Sequence, residues 1–511
     1  MKSASVSRLQ FKRSKRSTLW LAFITGFSLF ALGSCGKSER PDIGERLDTP
    51  SALASHPTLS VYYVLNASMS GEFETGSLQS YSVPTSASSS SNPRVTLQTP
   101  RLGTAIGVAR GGEFLIAGFS GTQGQLKVFN LDAGGNPSSS DKPQDAANVP
   151  SGRIGSILVN AVEGQTDTWT VVVSVGDPLS SENIAGGDVL LFKYSRAGGL
   201  VKLASLPTDF YSPSRENPLG AYLLSWGTPV VFPSLGIAVA FPQGTVNYRS
   251  DRNPTALDWL KGNVTLPNVA FDLRTVSAAV VDLNALVAGK GLLQTLGFVP
   301  VAFNLNGQKG DAAADLTAEA NLTYSFQQKY QSAVAIDPQT SPCQLSGPLS
   351  GIAQPAAVVV KKGSDSNIVS LSGWDQVATQ LRARLAGNEI QPILGDLLSP
   401  TAVSLNSSFA NLKDRRTVVP SIHVVNTGSL CTLSWLRVEE GRSSLGREQS
   451  LIQAATDGNI ASQLTRDLDL TGTSAFTVNG NYVLTSSFSN NKIQVLRFNG
   501  AALDNVGVFS P

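Results

Sequence analysis

Histidine is almost missing from this chain: His56 and His423 are the two in 511 residues. A Ser-His-Asp or Cys-His arrangement would have to use one of them, and no G-x-S-x-G elbow accompanies either. His423 sits in the apolar run Ile422-His423-Val424-Val425. There a hydrogen-bonded strand residue is a stronger reading than a general base, which needs partners and a pocket. Cysteine is scarce at three residues, with no CxxC pair and no Cys/His spacing suited to zinc. Charged residues make up only 15%. P-loop and βαβ-type G-x-G-x-x-G signatures are absent, as is the basic-aromatic interleaving of nucleic-acid binders. The longest apolar run falls short of the roughly 20 residues that a bilayer span requires.

What the chain does contain begins with its first 35 residues. Lys2, Arg8, Lys12, Arg13, Lys15 and Arg16 form a basic segment, Leu19–Ala31 an apolar one, and Leu32-Gly33-Ser34-Cys35 follows. Basic, then apolar, then small residues is the order of an export leader. The last four resemble the bacterial lipobox, in which the cysteine thiolate accepts a diacylglyceryl group and becomes the mature first residue. The competing reading is an uncleaved anchor with an incidental cysteine. The resemblance implies a signal peptide over 1–34, lipidation of Cys35 and a membrane partner reached through acyl chains. Gly36 rather than aspartate after the cysteine implies, in a Gram-negative host, the outer membrane facing periplasm or cell surface. Without the six leader cations the chain has 33 basic against 37 acidic residues, so no sequence-wide charge draws it to nucleic acid or anionic lipid. Residues 35–57, polar and broken by Pro41, Pro50 and Pro57, are expected as a tether that includes His56.

Cys343 and Cys431 remain for one bridge. An even pair in an exported chain favours a disulfide, and two buried free thiols are the alternative. If formed, the bridge would close a loop of about ninety residues, for which the chain-entropy model gives about 4–5 kcal/mol before strain.

The body, 58–511, is rich in short β-like runs between Gly, Ser, Asn and Asp clusters. One unit recurs. Residues 106–130 contain Ile106-Gly107-Val108, Gly111-Gly112, Phe114–Ser120 and Leu126-Lys127-Val128-Phe129-Asn130. Residues 476–499 contain Phe476-Thr477-Val478, Asn479-Gly480, Tyr482–Ser489 and Ile493–Asn499. Looser copies span Val61–Val83 and Trp169–Tyr194. This strand–turn–strand unit resembles blades of lactonase-like and WD40-like β-propellers, although no WD dipeptide repeat occurs. A lone meander leaves its apolar face uncovered, so copies must stack. The clearest copies lie near opposite ends of the chain, and a ring joins such ends. The expectation is an all-β propeller of about seven blades with short helical insertions. A set of similar hairpins in an unclosed β protein is the competing fold.

Apolar spacing predicts an amphipathic helix over Trp374–Leu385 and a short one within Asp282–Leu296. Ala312–Ala320 reads as a solvated turn or helix, and Ser86–Ser91 and Ser138–Ser140 as surface loops. Asp467 and Asp469 share one strand face. A solvated face outweighs a Ca²⁺ site there, since EF-hand spacing is missing. Asp365 reads as a hairpin turn and Glu439-Glu440-Gly441-Arg442 as a charged turn. No metal or cofactor set emerges. Two functions stay open. One is a binding or scaffolding module for a protein or glycan partner. The other is a lactonase-like hydrolase using loop carboxylates, Asn or Arg at the central channel, against which counts the lack of an assignable acid/base set.

Overall fold

The computed structural model describes residues 47–69, 74–86, 92–140, 142–176, 187–206, 223–249, 277–301, 323–339, 344–345, 354–362, 367–392, 394–395, 397–403, 416–426, 430–443, 446–454, 460–464, 473–487, 490–498 and 503–509. It is an all-β propeller with few helices. The first meander holds β1 (Pro50–Ser55), β2 (Val61–Asn66), β3 (Gly76–Ser82) and β4 (Val95–Thr99). The second holds β5 (Gly103–Val108), β6 (Phe114–Phe119), β7 (Gly124–Leu131), β8 (Pro137–Ser139) and β9 (Ala146–Val149). Next come β10 (Arg153–Ala161), β11 (Thr168–Gly176), β12 (Gly187–Ser195) and β13 (Gly199–Leu206). Then follow β14 (Leu223–Trp226), β15 (Val230–Phe232), β16 (Ile237–Ala240), β17 (Pro242–Arg249), β18 (Ser277–Asp282) and β19 (Leu296–Pro300). The chain continues through β20 (Thr323–Ile336), β21 (Gln344–Leu345), β22 (Ala356–Lys362), β23 (Asn367–Ser372) and β24 (Ser399–Val403). It ends with β25 (Arg416–Asn426), β26 (Leu430–Ser443), β27 (Gly446–Ala454), β28 (Ile460–Leu464), β29 (Thr473–Asn479), β30 (Tyr482–Ser487), β31 (Lys492–Phe498) and β32 (Leu503–Phe509).

These strands form six hydrogen-bonded sheets, against the expected count of about seven. The difference has a local cause. Strands β14 and β17 pair with each other, β14 touches β12 through the single pair Gly187↔Trp226, and β17 pairs along β20. That bridge merges the meander β10–β13 and the meander β20, β22, β23, β24 into one ten-stranded sheet. The first strands of successive meanders touch in sequence, β1 to β5, β5 to β10, and on through β15, β20, β25 and β29 back to β1.

The repeated unit maps onto β5–β7 and β29–β31. In both copies the glycine of the first turn is left-handed, Gly112 at φ +76° and Gly480 at φ +59°, a conformation that a Cβ disfavours. The middle strand β6 is buried along its whole length, being covered on both faces by neighbouring meanders. Its partner β7 begins with the alternation of a half-covered strand.

Both expected helices exist. The first, α1 (Leu283–Val287), starts where Asp282 Oδ1 accepts from Ala285 N at 3.0 Å. The second, α2 (Trp374–Ala386), buries Trp374, Val377, Ala378 and Leu381, the 3.6-residue stripe read from the sequence. Burying each large apolar side chain contributes about 1.5–3 kcal/mol. Trp374 stacks on Phe232 at 5.5 Å between ring centroids and meets Phe241 edge-on at 6.1 Å. Arg382 of α2 donates to Asp282 Oδ2 at 2.8 Å, tying the two helices together.

Three expectations are corrected. Residues 47–57 are not tether: β1 is buried along Pro50–Ala54 and is the innermost strand of its meander. Its small Ala52 and Ala54, 5% and 9% exposed, let neighbouring backbones approach. Ser138 and Ser139 lie in β8, paired to β7. Glu439–Arg442 is strand, not turn, because β26 runs on past it in register with β27, pairing Glu440 with Gln449 and Arg442 with Arg447. Residues 312–320, 87–91, Asp365, Asp467 and Asp469 lie outside the described residues.

Candidate functional site

A polar construction surrounds the seam where the first and last meanders meet. It starts from Ser55-His56-Pro57-Thr58-Leu59, the β1–β2 turn. Proline at 57 has no N–H, so the turn's free donors are the next two. His56 Nδ1 accepts from Leu59 N at 3.0 Å and Thr58 N at 3.2 Å. Two donors on Nδ1 assign the neutral tautomer, with its proton on Nε2, and Nε2 faces Gly112. The fit needs glycine, since a Cβ at Gly112 would lie 2.4 Å from Nε2 and one at Gly135 would lie 3.2 Å from Cδ2.

Burial pushes the His56 pKa below 6.5, outweighing the Gly112 hydrogen bond and the Glu113 charge, which both raise it. Glu113 Oε2 is itself buried without a hydrogen bond. Tyr63 OH donates to Gly135 O at 2.8 Å, and burial raises the phenol's pKa. Asp132 shapes the same β7–β8 turn: Oδ1 accepts from Gly134 N and Asn136 N, each at 2.8 Å, and Oδ2 accepts from Asn136 Nδ2 at 2.9 Å. The Asn136 backbone bond is the largest cause of its lowered pKa.

The last meander grips this turn from the other side. Asn479 Nδ2 donates to Leu59 O at 2.9 Å, Val61 O at 3.2 Å and His56 O at 3.3 Å. Ser55 Oγ and Thr477 Oγ1 are 3.1 Å apart, and Thr49 N donates to Asn491 Oδ1 at 2.7 Å. Beneath lies an apolar layer in which Leu53, Tyr62 and Val64 pack with Leu484, Ile493 and Val495. Among the described residues no strand crosses: β1–β4 and β29–β32 are separate sheets. The ring is therefore closed by side chains rather than by a shared ladder.

A second buried network lies on the same meander. Asn66 Oδ1 accepts from Asp48 N at 3.2 Å, and its Nδ2 donates to Ser77 Oγ and Gln79 Oε1, both at 2.9 Å. Tyr81 OH also donates to Gln79 Oε1, at 2.8 Å.

Chemically, these groups build structure. His56 Nδ1 is committed to two backbone amides and the residue is 6% exposed, an arrangement that positions the turn. His423 lies in β25 opposite Ser434 of β26. Among the described residues, no group of three His, Cys, Asp or Glu side chains is placed to hold a metal. Cys35 and Cys343 lie outside the described residues. Cys431 is in β26, opposite Leu345 of β21 in parallel register, which brings residues 344–345 and 430–431 side by side. The site residues that sequence reasoning missed are Gly112, Gly135 and Asn479. Asn479-Gly480 was visible as a turn, but its three acceptors lie more than 400 residues away.

No family model and no curated protein sequence matches this chain. Among solved structures, it is similar to the β-propeller domain of Myceliophteria thermophila Cps50 (Swd1), with 8% identity, a TM-score of 0.47, and coverage of 89% of this chain and 98% of that one. Another similar structure is Saccharomyces cerevisiae Sqt1, with 9% identity, a TM-score of 0.40, and coverage of 91% of this chain and 88% of that one.

Proposed function

We propose that this chain is a lipid-anchored protein of the bacterial envelope whose propeller serves as a binding or scaffolding module for a protein or glycan partner. The observation that carries the reading is the order of the leader: six cations, the apolar segment Leu19–Ala31, then Leu32-Gly33-Ser34-Cys35. Two or three acyl chains on one cysteine make a stable anchor, at about 0.8 kcal/mol per buried CH₂. The commitment of His56, Asp132 and Asp282 to internal hydrogen bonds supports a binding rather than a catalytic role.

Expression in a Gram-negative host with radiolabelled palmitate tests the anchor. Wild-type protein should carry label and a mature amino terminus at Cys35, and Cys35→Ser should carry none. Recovery of the intact, unacylated leader on cytosolic protein would refute the proposal. Crosslinking in intact envelopes followed by pull-down then identifies the partner.

A further inference from the structure

We infer that the propeller face reached by the anchored chain rests on the bilayer, with Met69 and Leu102 inserted among the lipids. The inference rests on the lipidation proposed above. Five large hydrophobic side chains among the described residues stand exposed. Two of them, Met69 at 54% and Leu102 at 36%, are gathered at one spot. Ser68 N donates to Asp48 O at 3.2 Å, Ala67 N to Thr49 O at 3.0 Å, and Leu102 N to Ala67 O at 3.0 Å. Met69 N donates to Thr49 Oγ1 at 2.9 Å. The exposed Arg101 donates through Nε to Ser68 O at 3.1 Å. One set of bonds thus holds together the first described residues after the tether, two exposed apolar side chains and a cation.

Where the tether ends matters because it is short. From Cys35 to Leu47 the chain spans at most about 40 Å even when fully extended. With acyl chains fixing one end, the face carrying Leu47 meets the membrane as an intramolecular event, and a small apolar contact suffices at the effective concentration that a short linker sets. Methionine and leucine enter the acyl boundary, while the charge of Arg101, held beside them on Ser68 O through both Nε and Nη2, attracts phosphates. The other exposed group lies elsewhere on the ring. Leu293 and Ile390, 49% and 69% exposed, are joined where Gln391 N meets Leu293 O at 3.4 Å, on the connections that lead into β19 and out of α2. It has no such link to the anchored end and serves as the internal control.

The test uses the full lipidated chain in vesicles of phosphatidylethanolamine and phosphatidylglycerol, with and without bromine on the acyl chains. Met69→Trp and Ile390→Trp are each read against wild type, which removes the signal of the five native tryptophans that follow Cys35. Bromine should quench the emission added by Met69→Trp at least twofold and that added by Ile390→Trp by less than a tenth. Adding Leu102→Asp should reduce the Met69→Trp quenching. Hydrogen exchange supplies a readout with the docking residues unaltered: amides of residues 66–69 and 101–103 should exchange more slowly in wild-type protein on vesicles than in detergent-free solution of the Cys35→Ser form. Equal quenching at both positions, or none at Met69→Trp while the protein still floats with vesicles, overturns the docking and leaves the anchor standing. Wild-type protein that fails to float overturns both.

Discussion

Replacing Asn479 with alanine removes a side chain that reaches from the last meander to three carbonyls at the β1–β2 turn and the start of β2. The expected cost follows from the groups left behind. Leu59 O keeps its bond from Val61 N at 2.8 Å, and Val61 O keeps its bond from His56 N at 2.9 Å. Leu59 O and Val61 O are thus not orphaned, and His56 O loses the longest of the three contacts, at 3.3 Å, so the loss is about that of the carboxamide's two N–H donors, each worth about 1 kcal/mol net. Asn479→Ala should therefore destabilise the ring by about 2 kcal/mol, seen as a lower urea midpoint at unchanged slope. The matched control is Asn481→Ala. Its Nδ2 reaches only Phe498 O, at 3.4 Å and within the same meander, and its loss should cost no more than about 0.5 kcal/mol. A deficit for Asn479→Ala no larger than that of Asn481→Ala would refute side-chain closure of the seam.

Three further outcomes are expected. The folded-state pKa of His56 is lowered from 6.5, so the unfolded chain takes up this proton first. Its stabilising contribution is complete above pH 6.5 and is lost as pH falls toward the folded value; the urea midpoint should be lower at pH 5 than at pH 7.5, and His56→Asn should narrow that gap. Gly112→Ala forces a Cβ onto a left-handed residue and against Nε2, at a cost of about 2–5 kcal/mol, whereas Gly164→Ala, at φ +74° with open space around it, should cost about 1–2 kcal/mol; equal unfolding midpoints would count against the packing at His56. Peptide mapping without reductant should recover Cys343 linked to Cys431, and free thiols at both would end that pairing.

The repeat at 106–130 and 476–499 was readable because each copy carries both its period-two alternation and its left-handed glycine within 25 residues. The Trp374 helix was readable because its buried stripe is a local property of the sequence. The first strand was not. Pro50-Ser51-Ala52-Leu53-Ala54-Ser55 is short, small and flanked by prolines, and its burial comes from meanders that close around it later in the chain. The charged run at 439–442 looked like a turn because its charges dominate its composition, yet pairing with β27 over nine residues decides its state. His56 could be weighed only as a rare titratable group. Its commitment to backbone appears once the turns at Gly112 and Gly135 are folded against it.

The separateness of the terminal sheets has an evolutionary consequence. Where a ring is fastened by interlacing its two ends, gaining or losing a unit must preserve that splice. Here the first and last meanders are each built from consecutive strands. A gene duplication or deletion with breakpoints in the loops beside them would add or remove a whole module and cut no ladder. Only the new neighbours' complementarity to residues such as Asn479 and His56 would have to be relearned by mutation.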